Sequence, residues 1–182
     1  MNKYGWLMAV ALMSLPATAG QEKDYSATIA ANKSKFAGAK SVFLNVEVLT
    51  DSGLKVSLDE VRDRVSLELM RAKIQFHESK DELGYWALSV ADAIRLDVFV
   101  GIDRTIVDGV YVVSVRTQVH ELAYLRRPSY KQEFPGLLVQ TYNFELSGTA
   151  GSARAIESIY TWTSEAAKVF AETWKAAQSP KQ

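Results

Sequence analysis

The chain has 182 residues, with 21 basic and 21 acidic side chains and no cysteine. This neutral balance lacks the basic excess that a nucleic-acid partner calls for. The missing cysteines exclude a disulfide framework, thiolate metal sites and cysteine nucleophiles, and the length suffices for a domain that buries a core without covalent staples.

The first nineteen residues read as a secretory signal peptide. Lys3 and the amino terminus supply positive charge, Gly5–Met13 is a short apolar run, and Pro16 ends it. Ala17, Thr18 and Ala19 then form a small-x-small site, with cleavage expected between Ala19 and Gly20. The apolar run is too short to span a bilayer, which needs about 20 residues. No transmembrane span is therefore expected after cleavage. Lipid attachment at a cysteine is excluded by composition. The expected location is periplasmic or secreted, in a bacterium.

Residues 20–40 are polar and alanine-rich and read as a flexible lead-in with one short helical turn. Residues 41–178 then form one α+β domain, and 179–182 a polar tail. In Ser41–Leu49, Val42, Leu44, Val46 and Val48 alternate with Phe43, Asn45 and Glu47, the period of a half-buried strand. A turn cluster follows at Thr50–Gly53. Ser57 and Glu60 have capping-box spacing at the start of a helix expected over Leu58–Ile74. Leu58, Val61, Val65, Leu69 and Ala72 form its apolar stripe, with Glu60–Arg64 and Glu68–Arg71 pairs on the wet side.

Residues 78–84 read as a polar loop and Tyr85–Val90 as a short strand. Ile94, Leu96, Val98, Val100 and Ile102 alternate with Arg95, Asp97, Phe99, Gly101 and Asp103. Asp108-Gly109 suits a two-residue hairpin turn. The return strand runs from Val110 to Leu125, with Val113, Val115, Thr117 and Val119 on one face. A loop over Arg126–Gly136 leads to a strand at Leu137–Leu146, ended by Gly148–Gly151. Ser152 is expected to cap a long helix reaching Ala177, with Ile156, Ile159, Thr163, Ala166, Phe170 and Trp174 as its stripe. Trp162 falls off that stripe.

The order is β-α-(β)-β-β-β-α. Strands with one apolar and one polar face indicate a mainly antiparallel sheet covered on one side. The expected fold is an α+β two-layer sandwich, with two amphipathic helices on one face and the other face open to water.

A two-residue turn at Asp108-Gly109 would set Asp97 opposite His120, Gly101 opposite Arg116 and Asp103 opposite Ser114. Asp97 and His120 are the candidate catalytic pair, since a carboxylate can orient an imidazole base. The same pattern also suits an ordinary cross-strand charge pair. No Gly-x-Ser-x-Gly elbow accompanies it. His77 and His120 share no ligand spacing with other donors, so neither a metal nor a cofactor is expected. The loop interleaves aromatic and basic residues, and Tyr124, Arg126, Arg127, Tyr130 and Phe134 are the partner-binding candidates.

The strand opening into Leu58–Phe76, with its Leu-Met-Arg-Ala-Lys-Ile-Gln-Phe ending, is followed by a hairpin. A Tyr142–Gly151 segment then leads into an aromatic C-terminal helix. This arrangement resembles small bacterial envelope domains, and its topology is similar to the α+β domains of curli-channel and penicillin-binding-protein activator lipoproteins. The resemblance implies an assembly factor or regulator rather than an enzyme. This chain lacks the lipobox cysteine of those lipoproteins.

Two functions are compatible with the sequence. The first is an exported, non-catalytic interaction or accessory domain of the cell envelope, binding a protein partner or itself. The second is a small-ligand binder or minor hydrolase using Asp97 and His120 or a pocket between helices and sheet.

Overall fold

A computed structural model describes residues 23–78, 93–125 and 134–179. Helix α1 (Ser26–Asn32) runs into a 3-10 turn at Lys33–Phe36. Strand β1 (Ser41–Thr50), helix α2 (Leu58–Arg71) and the short strand β2 (Phe76–Glu78) follow. Strands β3 (Ala93–Arg104), β4 (Val110–Leu125) and β5 (Phe134–Gly151) precede the long helix α3 (Ser152–Gln178). The fold is the expected α+β two-layer sandwich.

The sheet has the order β2-β1-β3-β4-β5. It is mixed: β1 runs parallel to both β2 and β3, while β3–β4 and β4–β5, which hold most of the paired residues, are antiparallel. The parallel half follows from the connection. After β1 the chain crosses through α2 and re-enters beside β1 in the same direction, as parallel strands require. The three-residue β2 lies between the expected helix end at Ile74 and the polar loop expected from residue 78, where no element was expected. The strand expected at Tyr85–Val90 lies outside the described residues, as do the segment expected to be a signal peptide, with Ala19 and Gly20, and residues 180–182 of the expected tail.

One sheet face carries the core. Val42, Leu44 and Val46 of β1, Leu96 to Ile102 at alternate positions of β3, and Val113, Val115 and Val119 of β4 are buried under the helices. From α2 come Val61, Val65 and Leu69, and from α3 Ile159, Ala166, Phe170 and Trp174. The α2 start is as expected, with the Glu60 amide donating to Ser57 Oγ at 3.2 Å. Its end comes three residues earlier than Ile74. Lys73 takes a left-handed conformation (φ 59°). The Ile74 amide reaches back to Leu69 O and the Lys73 amide to Met70 O, a Schellman stop.

Helix α3 begins differently from expectation. Gly151 is the residue before the helix and Ser152 makes no side-chain cap. The Ser152 amide instead donates to Gly109 O at 3.0 Å, tying the helix start to the β3–β4 turn. Strand β5 accordingly continues through Gly148 to Gly151. Gly148 makes room for a ring: a Cβ there would sit 3.0 Å from Trp162, which lies against this strand and would have to shift.

The lead-in is not a loose tether. Phe36 is 0% exposed. Its ring lies 5.4 Å from Tyr142, 5.3 Å from Phe170 and 6.2 Å from Trp174, in an aromatic cluster joining the N-terminal segment, β5 and α3. Gln178 Nε2 donates to the carbonyls of Phe36 (3.2 Å) and Ala39 (3.0 Å). Tyr25 donates its hydroxyl to Glu165 at 2.6 Å. Burial and that carboxylate hold its phenol well above the usual tyrosine range. A sequence window without strong periodicity concealed this role, because the docking is done by two separated aromatic residues, Tyr25 and Phe36.

Tyr142 enters the same core with its hydroxyl buried and unpartnered. Thr117, a polar side chain acting on it, donates its own hydroxyl to Phe144 O at 3.4 Å. Burial pushes the Tyr142 phenol from 10.0 to about 12, with Thr117 pulling weakly downward. Folding thus favours the protonated phenol. Stability is full below the unfolded value of 10.0 and falls as pH rises toward about 12. Two outcomes follow. Phe36→Ala should cost about 3–5 kcal/mol in urea unfolding, as for a buried aromatic truncated to alanine. Tyr142→Phe should be neutral or stabilising by about 1 kcal/mol, since it removes an unsatisfied hydroxyl, and should lessen the loss of stability above pH 10.0.

Candidate functional site

The second sheet face carries the polar positions of β1, β3, β4 and β5. Its register differs from the expected one by two residues. The β3–β4 loop is longer than Asp108-Gly109: Arg104 pairs with Tyr111, and Thr105 N donates to Val110 O at 3.1 Å. Thr105 Oγ1 donates to Val110 O at 2.8 Å, and Val110 N donates to Val107 O at 3.1 Å. These bonds hold a wider turn, in which Gly109 does take positive φ (73°). Asp97 consequently faces Gln118, Gly101 faces Ser114, Asp103 faces Val112, and His120 faces Arg95. A shift of two preserves the alternation, so every residue expected on this face remains on it.

Asp97 and His120 still meet, diagonally. His120 Nδ1 lies 2.8 Å from Asp97 Oδ2. With the carboxylate ionised, that nitrogen is the donor. The other carboxylate oxygen receives Asn45 Nδ2 and Arg95 Nε, each at 2.8 Å, with Arg95 Nη2 also at 2.8 Å. Asn45 comes from β1, Arg95 and Asp97 from β3, and His120 from β4. Parallel pairing sets Asn45 directly beside Asp97. Asp97 is 2% exposed, although it lies on the face away from the core.

This environment suits a structural anion. All the hydrogen bonds come from donors that favour the carboxylate, and the flanking cation partly offsets its desolvation. Covalent catalysis by a side chain would need a nucleophile within hydrogen-bond reach of the His120 ring. Among the described residues Asp97 is the partner of that ring. Nor does any group of three histidine or acidic residues there form a metal cradle.

Beside the network the face holds a hollow of about 400 Å³, bordered by Leu49, Phe99, Gly101, Ser114, Arg116 and Glu145. Arg116 pairs across the ladder with Phe99 on one side and Glu145 on the other. Its guanidinium carbon lies 5.3 Å from the Phe99 ring centre, and its buried Nε has no hydrogen-bond partner.

The loop candidates cannot be placed in the same way. Arg126, Arg127 and Tyr130 lie outside the described residues. Tyr124 belongs to β4 and Phe134 to β5, where the ladder pairs Leu125 with Phe134. Sequence reasoning missed Asn45 and Arg95 as partners of Asp97, and it found β5 only over Leu137–Leu146, without its extension to Phe134–Gly151 or its place at the sheet edge. The first depends on the parallel β1–β3 register and the second on sheet order; neither leaves a local signal.

No protein-family model matches the chain, and no curated protein does. Among solved structures it is similar to a PelC dodecamer from Paraburkholderia phytofirmans, at 18% identity and a TM-score of 0.44, over 73% of this chain and 88% of that one. It is also similar to an uncharacterised protein at 13% identity and a TM-score of 0.38, over 73% and 91% of the two chains. Scores this low carry no functional inference. No described helix is long and apolar enough to cross a membrane.

The Asp97 network can be tested by its contribution to stability. Asp97→Ala should destabilise the protein by about 3 kcal/mol in urea unfolding, the low end of the range for breaking a buried ion pair. The low end applies because Arg95 and His120 keep 25% and 20% of their side-chain surfaces in water. A loss below about 1 kcal/mol would show that the network contributes no more than an exposed ion pair.

Proposed function

We propose that this chain is an exported, non-catalytic interaction domain of the bacterial cell envelope. The observation that carries this reading is β5, an 18-residue strand at the edge of the sheet. A long unpaired edge offers backbone donors and acceptors to another polypeptide. The polar face beside it presents Glu145 and Arg116 next to the half-buried Phe99. This mixture of charge and aromatic surface suits a protein contact. The apolar run Gly5–Met13 and the Ala17-Thr18-Ala19 site support export. Leu125 and Phe134 pair at the other end of β5, and the sequence candidates Tyr124, Arg126, Arg127, Tyr130 and Phe134 belong to the proposed surface.

A ligand-binding or hydrolytic role has the 2.8 Å Asp97–His120 contact in its favour. Saturation of the carboxylate by Asn45 and Arg95 favours a structural use of the pair instead.

In-cell crosslinking of a C-terminally tagged copy, followed by mass spectrometry of the envelope fraction, tests the proposal. The expected result is a reproducible captured protein, this chain itself included, on a copy whose mature form begins at Gly20. An empty capture overturns the interaction reading. The combined Arg126→Ala, Arg127→Ala and Tyr130→Ala variant should lose capture if the loop contributes, with unfolding unchanged.

A further inference from the structure

The outer edge of β5 is unevenly guarded. Its first part contains Pro135 and a bulge near Thr141, where pairing shifts from Val119↔Tyr142 to His120↔Gln140. Both devices discourage strand addition. From Tyr142 to Gly151 there is no proline and no lysine, and Glu145 is the one charged residue. Among the described residues no strand pairs with this side.

The ladder also determines which groups point outward. Thr105 N bonds Val110 O, and Ser152 N bonds Gly109 O. Backbone groups alternate in direction along an antiparallel pair. Even-numbered residues of β5 therefore bond β4 over this stretch. Asn143, Glu145, Ser147, Thr149 and Gly151 present their amides and carbonyls to the outside.

We propose that this edge pairs antiparallel with the same edge of a second copy of the chain, centred on Ser147. The inference rests on the interaction reading and names its partner. Centring on Ser147 sets Glu145 across from Thr149 and Asn143 across from Gly151, so no like charges oppose each other. On the helix side it sets Phe144 against Ala150 and Leu146 against Gly148. Large residues then meet small ones at each step, and the partner's Leu146 lands beside the Trp162 ring that underlies Gly148. Phe144, Leu146, Ala150 and Trp162 are half-buried within one chain and gain cover from the second. Residues of equal parity face each other, so both helical layers lie on the same side of one continuous sheet. Centring on Glu145 would oppose two carboxylates. A head-to-tail arrangement would have to use β2, which offers only three residues. A two-fold pairing of identical edges closes on itself and does not propagate into a fibre.

Ser147 provides the test. Its amide points away from β4, so replacing its side chain leaves the β4–β5 ladder intact. The purified protein should sediment at twice the mass of one chain, and S147K, which opposes two lysines across the axis, should sediment as a monomer that still unfolds cooperatively, having lost only the concentration-dependent stabilisation that dimerisation adds. S147C should form a disulfide-linked dimer under mild oxidation, with no other cysteine in the chain to compete; D59C, on the exposed side of α2, should not. Sedimentation of the unsubstituted protein as a monomer at all concentrations overturns the pairing, as does a dimeric S147K or equal crosslinking by S147C and D59C. Failure here is distinguishable from failure of the interaction reading, which is overturned by an empty capture in cells.

Discussion

The register of β3 is the constraint on which both faces of this protein depend. It is the central strand, paired parallel to β1 and antiparallel to β4. Leu96, Val98, Val100 and Ile102 are all nearly or fully buried beneath the helices. Because side chains alternate with a period of two, burying that row places Arg95, Asp97, Phe99 and Asp103 on the opposite face. A slip of one residue would exchange the two rows, putting two acids and an arginine into the core. The hydrophobic driving force that selects the register therefore also assembles the polar face.

The Asp97 network strengthens that choice from the wet side. Parallel pairing is slightly less stable per residue than antiparallel pairing, and β1 meets β3 by parallel pairing. Asn45 reaches across this seam to Asp97, and His120 reaches to the same carboxylate from β4. One anion thus engages three adjacent strands. Each contact has a geometry available in a single register, so the group specifies alignment in addition to any net stabilisation. Arg116, stacked near Phe99 beside Glu145, extends the polar surface toward the open edge.

The strands and both long helices were legible in the sequence because each carries its own periodicity: Val42 to Val48, Ile94 to Ile102, and the stripes of α2 and α3. Capping by Ser57 was legible for the same local reason. What escaped was non-local. Nothing in Ser41–Leu49 distinguishes a strand that will pair parallel from one that will pair antiparallel. The Asp-Gly pair signals a turn, but Thr105 decides its width through side-chain bonds to Val107 and Val110. Gly148 resembled the end of a strand, yet its bareness serves Trp162. The polar surroundings of Phe36 concealed a residue whose partners lie more than a hundred positions away. The members of the polar face were correctly read, while the partners of Asp97 required the sheet order.

The docking of the N-terminal segment onto α3 has a consequence for the order in which the chain acquires its structure. Phe36 rests on Tyr142, Phe170 and Trp174, Tyr25 bonds Glu165, and Gln178 holds the carbonyls of Phe36 and Ala39. A ribosome has made the first half of each contact long before the second exists. Until the last helix emerges, residues 25–39 have no surface to bind, and the sheet lacks much of its cover. Contacts of such long sequence separation also slow folding once the chain is complete. The nascent polypeptide is consequently held in an unfinished state by its own topology until its last helix has emerged.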